Sequence, residues 1–210
     1  MSSSSARRSD LSPLHPLVRD AVLRVSQQIE DEGLPFRIFE TFRTPERQRS
    51  LFAQGRTEPG ARVTNASPWG SYHQYGLAAD FVLYLDGKWS WETGGALGPE
   101  WERLHEIGRE HGLEPLRWEQ PHLQLAGTTI EELRAGGYPP DGDDDWADAL
   151  RAAITDWGGP ETAPPAPVSS ERPPLPDDAP EPAPEETFAL LTPGVTSGIR
   201  EQQNVTRTRS

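Results

Sequence analysis

The hydrophobic positions of the first 140 residues recur with two periods, one typical of helices and one typical of strands. Residues 16–32 carry an apolar side chain every three or four positions, which predicts an amphipathic helix. The apolar positions of this helix are Val18, Val22, Val25 and Ile29. Residues 36–42 (FRIFETF) instead alternate apolar and polar side chains and are rich in strand-forming residues, so they predict a strand.

The same periods, read together with turn residues, predict a mixed order of elements along the chain. The predicted helices span residues 16–32, 45–54, 99–111, 129–135 and 144–157. The predicted strands span residues 36–42, 79–85, 113–118 and 121–126. Residues 56–72, which contain Gly, Pro, Asn and Ser, are predicted to form a long loop. We therefore expect an α+β fold, in which helices flank a small antiparallel sheet.

The composition changes after Gly136. Residues 160–184 contain ten prolines among Ala, Glu and Asp, a composition typical of an extended, disordered linker. Residues 1–140 carry 15 basic and 19 acidic residues, whereas residues 141–210 carry 5 and 14, so most of the acidity lies near the end. The predicted divisions are a flexible N-terminus (1–13), a main domain (14–140), an additional helix (141–159) and a disordered, Pro-rich acidic tail (160–210).

The composition of the whole chain argues against several classes of protein. The 210 residues include no cysteine, so a transition metal has to be held by nitrogen and oxygen ligands. The net charge of −13 and the lack of a basic cluster argue against a nucleic-acid partner. No apolar run approaches the roughly 18 residues that span a bilayer, so we expect no stable membrane insertion. The first ten residues are polar and no apolar segment follows, so we expect the chain to be synthesised in the cytoplasm. We also expect a monomer.

The candidate chemistry lies in two short segments, SYHQYGLAAD at residues 71–80 and WEQPH at residues 118–122. A catalytic zinc ion typically has three protein ligands and an open fourth position for water. His73, Asp80 and His122 would supply two imidazoles and a carboxylate if the strands that begin near Asp80 and His122 are neighbours. We therefore expect a metal site at the ends of these strands.

Glu119 lies three residues before His122. At that spacing its carboxylate would flank the metal rather than bind it. Zinc lowers the pKa of its bound water from 15.7 towards about 7. A carboxylate beside such a water completes a general-base arrangement, so Glu119 is the candidate base.

These segments resemble a known family. SxHxxGxAxD followed by ExPH is similar to the zinc D-Ala-D-Ala carboxypeptidase and VanY-type peptidases, and within them to the L-alanyl-D-glutamate endopeptidases of phage endolysins and bacterial autolysins. Residues 41–48 (TFRTPERQ) resemble the family's GYRSxxxQ segment, and residues 51–57 (LFAQGRT) its LYxxGRT segment. The resemblance covers about residues 14–126.

The resemblance implies a role for each matching residue. One zinc ion per chain would be bound by His73, Asp80 and His122. Glu119 would act as the base, Arg43 would stabilise the oxyanion, and Gln48 and Ser71 would contact the substrate. At the position of Glu119 the alanyl-glutamate branch often has aspartate, whereas the dipeptidase branch has glutamate. His15, His105 and His111 match no motif and are interpreted as structural or surface residues.

The function that the resemblance implies is hydrolysis of the stem peptide of bacterial peptidoglycan, between L-Ala and D-Glu. The alternatives are a D-Ala-D-Ala carboxypeptidase or dipeptidase of the same family, and, in a different class, a non-catalytic zinc-containing module that binds the wall. Because no signal peptide is evident, we expect the protein to reach the wall after release from the cytoplasm, with a holin as a possible export partner.

Overall fold

The computed structural model describes residues 5–168, in which helices flank a five-stranded antiparallel sheet. The helices are α1 (Pro16–Asp31), α2 (Pro45–Ala53), α3 (Gly98–Glu110), α4 (Ile130–Arg134) and α5 (Asp144–Asp156). The strands are β1 (Phe36–Glu40), β2 (Ala78–Leu85), β3 (Lys88–Ser90), β4 (Leu113–Leu116) and β5 (Glu119–Leu125). Two short 3-10 helices span Tyr72–Tyr75 and Gly95–Leu97. The predicted α+β class is confirmed.

The sheet is built around β2. Its main path runs β1-β2-β5-β4, every pair is antiparallel, and β3 also pairs with β2. Since β1 occupies one edge of β2, strands β5 and β3 share the other edge. Strand β5 pairs with residues 78–80 of β2, and β3 pairs with residues 83–85. The sheet is therefore forked on this side, and Asp80 lies where β5 ends its pairing.

The hydrophobic core lies between the helices and the sheet. Helix α1 buries the four apolar residues that the sequence pattern picked out, together with Ala21. Helix α3 buries Trp101, Leu104 and Ile107 and lies close to β5. A Cβ atom at Gly108 would stand 2.7 Å from Leu123, so the glycine permits the close approach of helix and strand. This packing holds β5 in place behind the candidate site.

Helix α5 contributes to the same core. It buries Trp146, Ala147, Leu150 and Ala153. The indole of Trp146 donates a hydrogen bond of 2.7 Å to the Tyr75 carbonyl and packs edge-on against His15, with ring centroids 4.8 Å apart. Asp143, which caps the helix, forms an ion pair of 2.7 Å with Arg19 of α1.

Parts of the predicted flexible N-terminus and of the predicted tail contact the folded domain. The Thr41 amide donates to the Arg8 carbonyl, and the Thr41 hydroxyl donates to that of Asp10. Residues 160–168, which the sequence analysis places in the tail, lie along α5: Pro164 is buried, and Arg151 donates to the Pro167 carbonyl. Residues 169–210 of the predicted tail lie outside the described residues.

Three local expectations differ from the structure. The strand predicted for residues 36–42 ends at Glu40, because the Thr41 and Arg43 amides bond to Arg8 and His73 instead of β2. His73, which directly follows the predicted loop 56–72 and was itself expected on a loop, lies in the 3-10 helix Tyr72–Tyr75. The short strand β3 was not predicted. Within residues 5–168, no helix is both long and apolar enough to cross a membrane.

The contacts of Trp146 predict the stability contribution of α5. Trp146→Ala removes a buried indole and leaves the Tyr75 carbonyl without its donor, so we expect a loss of about 3–5 kcal/mol in the free energy of unfolding. Leu23→Ala, on the exposed side of α1 (51% exposed), is the control and should change stability by about 0.5 kcal/mol or less. Urea denaturation measures both, and equal stability of the two variants would contradict the packing of α5.

Candidate metal centre

Three neighbouring strands bring polar residues into one row. Asp80 of β2 lies directly opposite Glu40 of β1 on one side and opposite His122 of β5 on the other. Residues directly opposite each other in antiparallel strands project from the same face of the sheet. All three are buried. The strand register therefore supplies two of the three predicted metal ligands, and adds Glu40.

The third predicted ligand comes from the 3-10 helix Tyr72–Tyr75. His73 is buried at the second position of this helix, which ends at Gly76 in a left-handed conformation (φ 68°). A Cβ atom at Gly76 would stand 2.6 Å from the Pro13 carbonyl oxygen, so only glycine fits there without a shift. The tight turn after His73 leads the chain straight into β2 and thus to Asp80.

The three candidate ligands converge on one point. His73 Nε2 lies 3.1 Å from Asp80 Oδ1 and 3.1 Å from His122 Nδ1, and the last two atoms are 3.2 Å apart. Around a tetrahedral metal with bonds of about 2.0–2.2 Å, ligand atoms lie about 3.3–3.6 Å from one another. The observed triangle is within a few tenths of an ångström of that spacing, so these residues could hold a metal ion.

Outer hydrogen bonds orient both imidazoles. His73 Nδ1 lies 2.6 Å from the Thr41 carbonyl oxygen, which can only accept, so Nδ1 carries the hydrogen and Nε2 of the neutral ring has a free lone pair. His122 Nε2 lies 3.0 Å from Gln124 Oε1, to which it donates, and this leaves Nδ1 as the ligand. Three electron-pair donors therefore face one another, an arrangement that a cation among them stabilises. Such outer-shell partners are typical of metal-binding histidines.

Asp80 and Glu40 both stay ionised in the interior. Burial by itself raises the pKa of Asp80, but the imidazoles of His73 and His122 outweigh it and hold the pKa well below its usual range. Burial also raises the pKa of Glu40, and the guanidinium of Arg43 outweighs it so that this pKa is lowered as well. The centre therefore contains two buried carboxylates, which need cationic partners.

Arg43 is the buried cation that joins these carboxylates. Its Nε and Nη2 donate to Glu40 Oε2 at 3.0 and 2.6 Å, and Nη2 also reaches Asp80 Oδ2 at 3.3 Å. Its Nη1 donates to Gln48 Oε1 at 2.9 Å. A guanidinium has five N–H donors, so one N–H on Nη1 stays available at the cavity surface that Arg43 lines.

Glu40 is a residue of the centre that was not predicted from the sequence. Its side chain is 2% exposed and also pairs with Arg47, so one carboxylate holds two guanidinium groups. The alternation Phe36, Ile38, Glu40 gives no signal for this role, because it would place the acid on the apolar face of β1. A register shift between Ile38 and Glu40 instead turns Glu40 to the face of Asp80, where a buried acid requires a partner.

Two cavities open on either side of the centre. His122 borders the first, of about 590 Å³, and Asp80 borders the second, of about 640 Å³. The walls common to both cavities are Arg43, Val63, Thr64, Trp118 and Glu119. The two cavities therefore adjoin each other as one cleft, and one candidate ligand borders each of them.

The other predicted site residues differ in their access to this cleft. Glu119 lines both cavities at the start of β5, and Ser71 lines the first. Gln48 is fully buried and lines neither; its amide nitrogen donates to the Ala66 carbonyl at 2.7 Å, so it links Arg43 to the loop that borders the cleft. Among the described residues, His15, His105 and His111 lie outside the metal-ligand cluster.

Comparison with known proteins agrees with this geometry. Residues 12–132, more than half of the chain, match the family model described as VanY, D-alanyl-D-alanine carboxypeptidase. The chain belongs to the VanY family. The matched range contains all the candidate site residues, and it confirms the predicted family and the predicted class of enzyme, a peptidase.

A curated member of this peptidase group is also similar in sequence. Over 127 residues the chain is 35% identical to the peptidoglycan L-alanyl-D-glutamate endopeptidase CwlK of Bacillus subtilis (strain 168). The match covers 54% of this chain and 74% of CwlK. The VanY domain of this chain therefore corresponds to most of CwlK.

Solved structures give weaker matches. The LdcB LD-carboxypeptidase is 22% identical with a TM-score of 0.43, and the match covers 57% of this chain and 67% of LdcB. The Serratia marcescens L-Ala D-Glu endopeptidase ChiX is 24% identical with a TM-score of 0.37, covering 58% of this chain and 91% of ChiX. Family membership rests on the two sequence matches, not on these structures.

The triangle of ligand atoms predicts metal binding by this VanY domain. We expect one divalent metal ion per chain, and His73→Ala or His122→Ala should lower metal affinity by more than the roughly 10–100-fold that loss of an outer-shell partner costs. Metal analysis after dialysis against a chelator measures this. His111→Ala is the control, because that ring contacts Gln28 outside the centre. Full occupancy in both ligand variants would contradict the assignment.

The burial of Glu40 predicts a large effect on stability. Glu40→Gln removes the charge that balances Arg43 and Arg47, and breaking a buried ion pair costs about 3–5 kcal/mol. The control is Glu32→Gln, which breaks the exposed pair of Glu32 with Arg103 and should leave the unfolding curve close to that of the wild type. Chemical denaturation compares them, and a Glu40→Gln curve that overlaps the wild-type curve would show that Glu40 is dispensable.

Proposed function

We propose that this VanY-family protein is a zinc endopeptidase that cuts the stem peptide of peptidoglycan between L-Ala and D-Glu. The observation that carries the proposal is the cleft that extends on both sides of the His73–Asp80–His122 centre. An endopeptidase substrate continues in both directions from the scissile bond, whereas a carboxypeptidase needs room for only a terminal residue on one side. The 35% identity to CwlK supports the same specificity.

Zinc is the metal that the ligand set supports. Two imidazole nitrogens and one carboxylate, with no cysteine in the chain, suit a zinc ion that keeps an open fourth position. When bound there, zinc supplies a Lewis acid that polarises a carbonyl and lowers the pKa of water. Zinc would bind through the lone pairs of His73 Nε2 and His122 Nδ1, and the hydrogen bonds of the opposite ring nitrogens to Thr41 and Gln124 direct those two atoms toward the centre.

Glu119 is proposed as the general base and then the general acid. Its carboxylate faces both cavities, beside the residues that ligate the metal. It takes a proton from a water molecule in the cleft as that water attacks the peptide carbonyl, and it returns the proton to the leaving amine. Either glutamate or aspartate can serve as such a base, and Glu119 occupies the first position of β5, where it lines both cavities.

Arg43 is proposed as the donor to the developing oxyanion. Glu40, Asp80 and Gln48 hold four of the five N–H groups of Arg43, and one hydrogen on Nη1 has no partner among the described residues. A guanidinium fixed in this way needs no reorganisation during the reaction. Gln48 contributes by positioning Arg43, and Ser71 offers a polar side chain to the substrate in the first cavity.

The alternatives differ in the product that they form. A D-Ala-D-Ala carboxypeptidase or dipeptidase, which the family description supports, releases D-Ala, whereas the proposed endopeptidase creates a new D-Glu amino terminus. Digestion of purified peptidoglycan and mass spectrometry of the released peptides distinguish them. A non-catalytic wall-binding module would bind the peptidoglycan but release neither product, and that result would overturn the proposal.

The proposed role of Glu119 predicts a loss of turnover without loss of metal. Glu119→Gln keeps the shape of the side chain but removes the proton acceptor, so kcat should fall by about 10²–10⁴-fold while metal content and melting temperature stay at wild-type values. Glu114→Gln, on the neighbouring strand β4 but outside both cavities, is the matched control and should keep wild-type kcat. Near wild-type hydrolysis by Glu119→Gln would remove it from the mechanism.

A further inference from the structure

The cavity that Asp80 borders has an unusual concentration of exposed apolar surface. We name it the aromatic cavity, after Phe39, Trp91 and Trp118 in its wall. Among the described residues, six large hydrophobic side chains are exposed, and three of them line this cavity. They are Val63 (51% exposed), Trp91 (54%) and Trp118 (76%); Val63 and Trp118 also border the first cavity, whereas Trp91 lines the aromatic cavity only. Exposed apolar side chains that cluster in one cavity, instead of being scattered over the surface, are typical of a binding site.

The fork in the sheet explains where this cavity lies. Strands β3 and β5 share one edge of β2, and Val82 of β2, between their two pairings, lines the cavity. Trp91 follows β3 on one side. Trp118 lies on the other side of the cavity, in the two-residue turn between β4 and β5. Leu116 and Glu119 pair at the base of this turn. The cavity is therefore continuous with the metal centre and lies between two tryptophans.

One of these tryptophans packs against another aromatic ring. Phe39 packs edge-on against Trp91, with ring centroids 5.2 Å apart, and against Trp89 at 5.1 Å. The guanidinium of Arg7 lies over Phe39, 4.3 Å from the ring centroid. A supported aromatic ring loses little conformational entropy when a ligand packs on it. The face of Trp91 is thus preorganised for a flat apolar partner.

The polar groups of the aromatic cavity lie among its aromatic ones. Thr93, Gln120 and Arg117 offer neutral and cationic hydrogen-bonding groups, while the charge of Arg47 is balanced by Glu40. An apolar wall with a few hydrogen-bonding groups suits a ring that has an apolar face and polar substituents. A saturated sugar with hydroxyl and acetamido groups has this chemistry, whereas an acidic side chain would leave the tryptophans in water.

We propose that the aromatic cavity binds the N-acetylated amino sugar to which the stem peptide is attached. The proposal rests on the proposed function. In an L-Ala–D-Glu cleavage a single alanine separates the scissile bond from the sugar. An alanine methyl group cannot fill a cavity of about 640 Å³, which is within the range of about 300–1,000 Å³ for ligand pockets. The first cavity, with Arg62, Asn65 and Ser71, then receives the acidic residues that follow the bond.

Two matched substrates test this subsite. One is a soluble stem peptide whose L-Ala carries an N-acetylmuramyl group, and the other is the same peptide with a plain acetyl group. The wild type should prefer the muramyl peptide by about tenfold or more in kcat/KM, the effect of about 1.4 kcal/mol of additional binding. Trp91→Ala and Trp118→Ala should reduce this ratio to near one, and Trp118→Phe, which keeps an aromatic face, should retain most of it.

Leu23→Ala, which removes an exposed apolar side chain on α1, is the control and should leave the ratio unchanged. A wild-type ratio near one, or an unchanged ratio in both tryptophan variants, would overturn the subsite.

If neither peptide is cleaved, the proposed function is refuted, and the subsite is then tested by a binding experiment. N-acetylmuramic acid is titrated into the full chain, and the indole N–H signals of Trp91 and Trp118 are followed by NMR. We expect both signals to shift and that of Trp146, which is buried against Tyr75, to stay. Indole signals that do not move at millimolar sugar would overturn the proposal by themselves.

Discussion

The antiparallel register of β1, β2 and β5 is the constraint on which the candidate site depends. It aligns Glu40, Asp80 and His122 in one row on one face of the sheet. A shift of one residue in either pairing would turn a member of the row to the opposite face. The register is fixed by the core behind it, where Leu123 of β5 packs against Gly108 of α3. Packing of apolar side chains thus sets the geometry of polar ones.

Charge balance then decides how the row is arranged. Two buried carboxylates would repel each other and would be costly to desolvate without cations. Arg43 bonds to both of them, and Arg47 adds a second positive charge on Glu40. Asp80 divides its two oxygens, with Oδ2 directed to Arg43 and Oδ1 to the histidines. The same ion pair therefore orients a candidate metal ligand and the proposed oxyanion donor.

The fork between β3 and β5 gives the site its access to substrate. A fully paired β2 edge would close the sheet beside Asp80, whereas the gap at Val82 opens the aromatic cavity there. The N-terminal segment supports the opposite side, since Arg8 and Asp10 bind Thr41, whose carbonyl orients His73. Elements remote in sequence thus converge on a centre that no single one of them could build.

The sequence by itself determined the α1 stripe, the class of fold and the three residues that converge as candidate ligands, because periodicity and motif spacing are local properties of the chain. It could not reveal that Glu40 holds Arg43, that Gln48 is buried behind it, or that β3 forks the sheet. Those features depend on strand register and on contacts between residues far apart in sequence. Local patterns do not encode such contacts, and only the tertiary structure decided which polar groups share the interior.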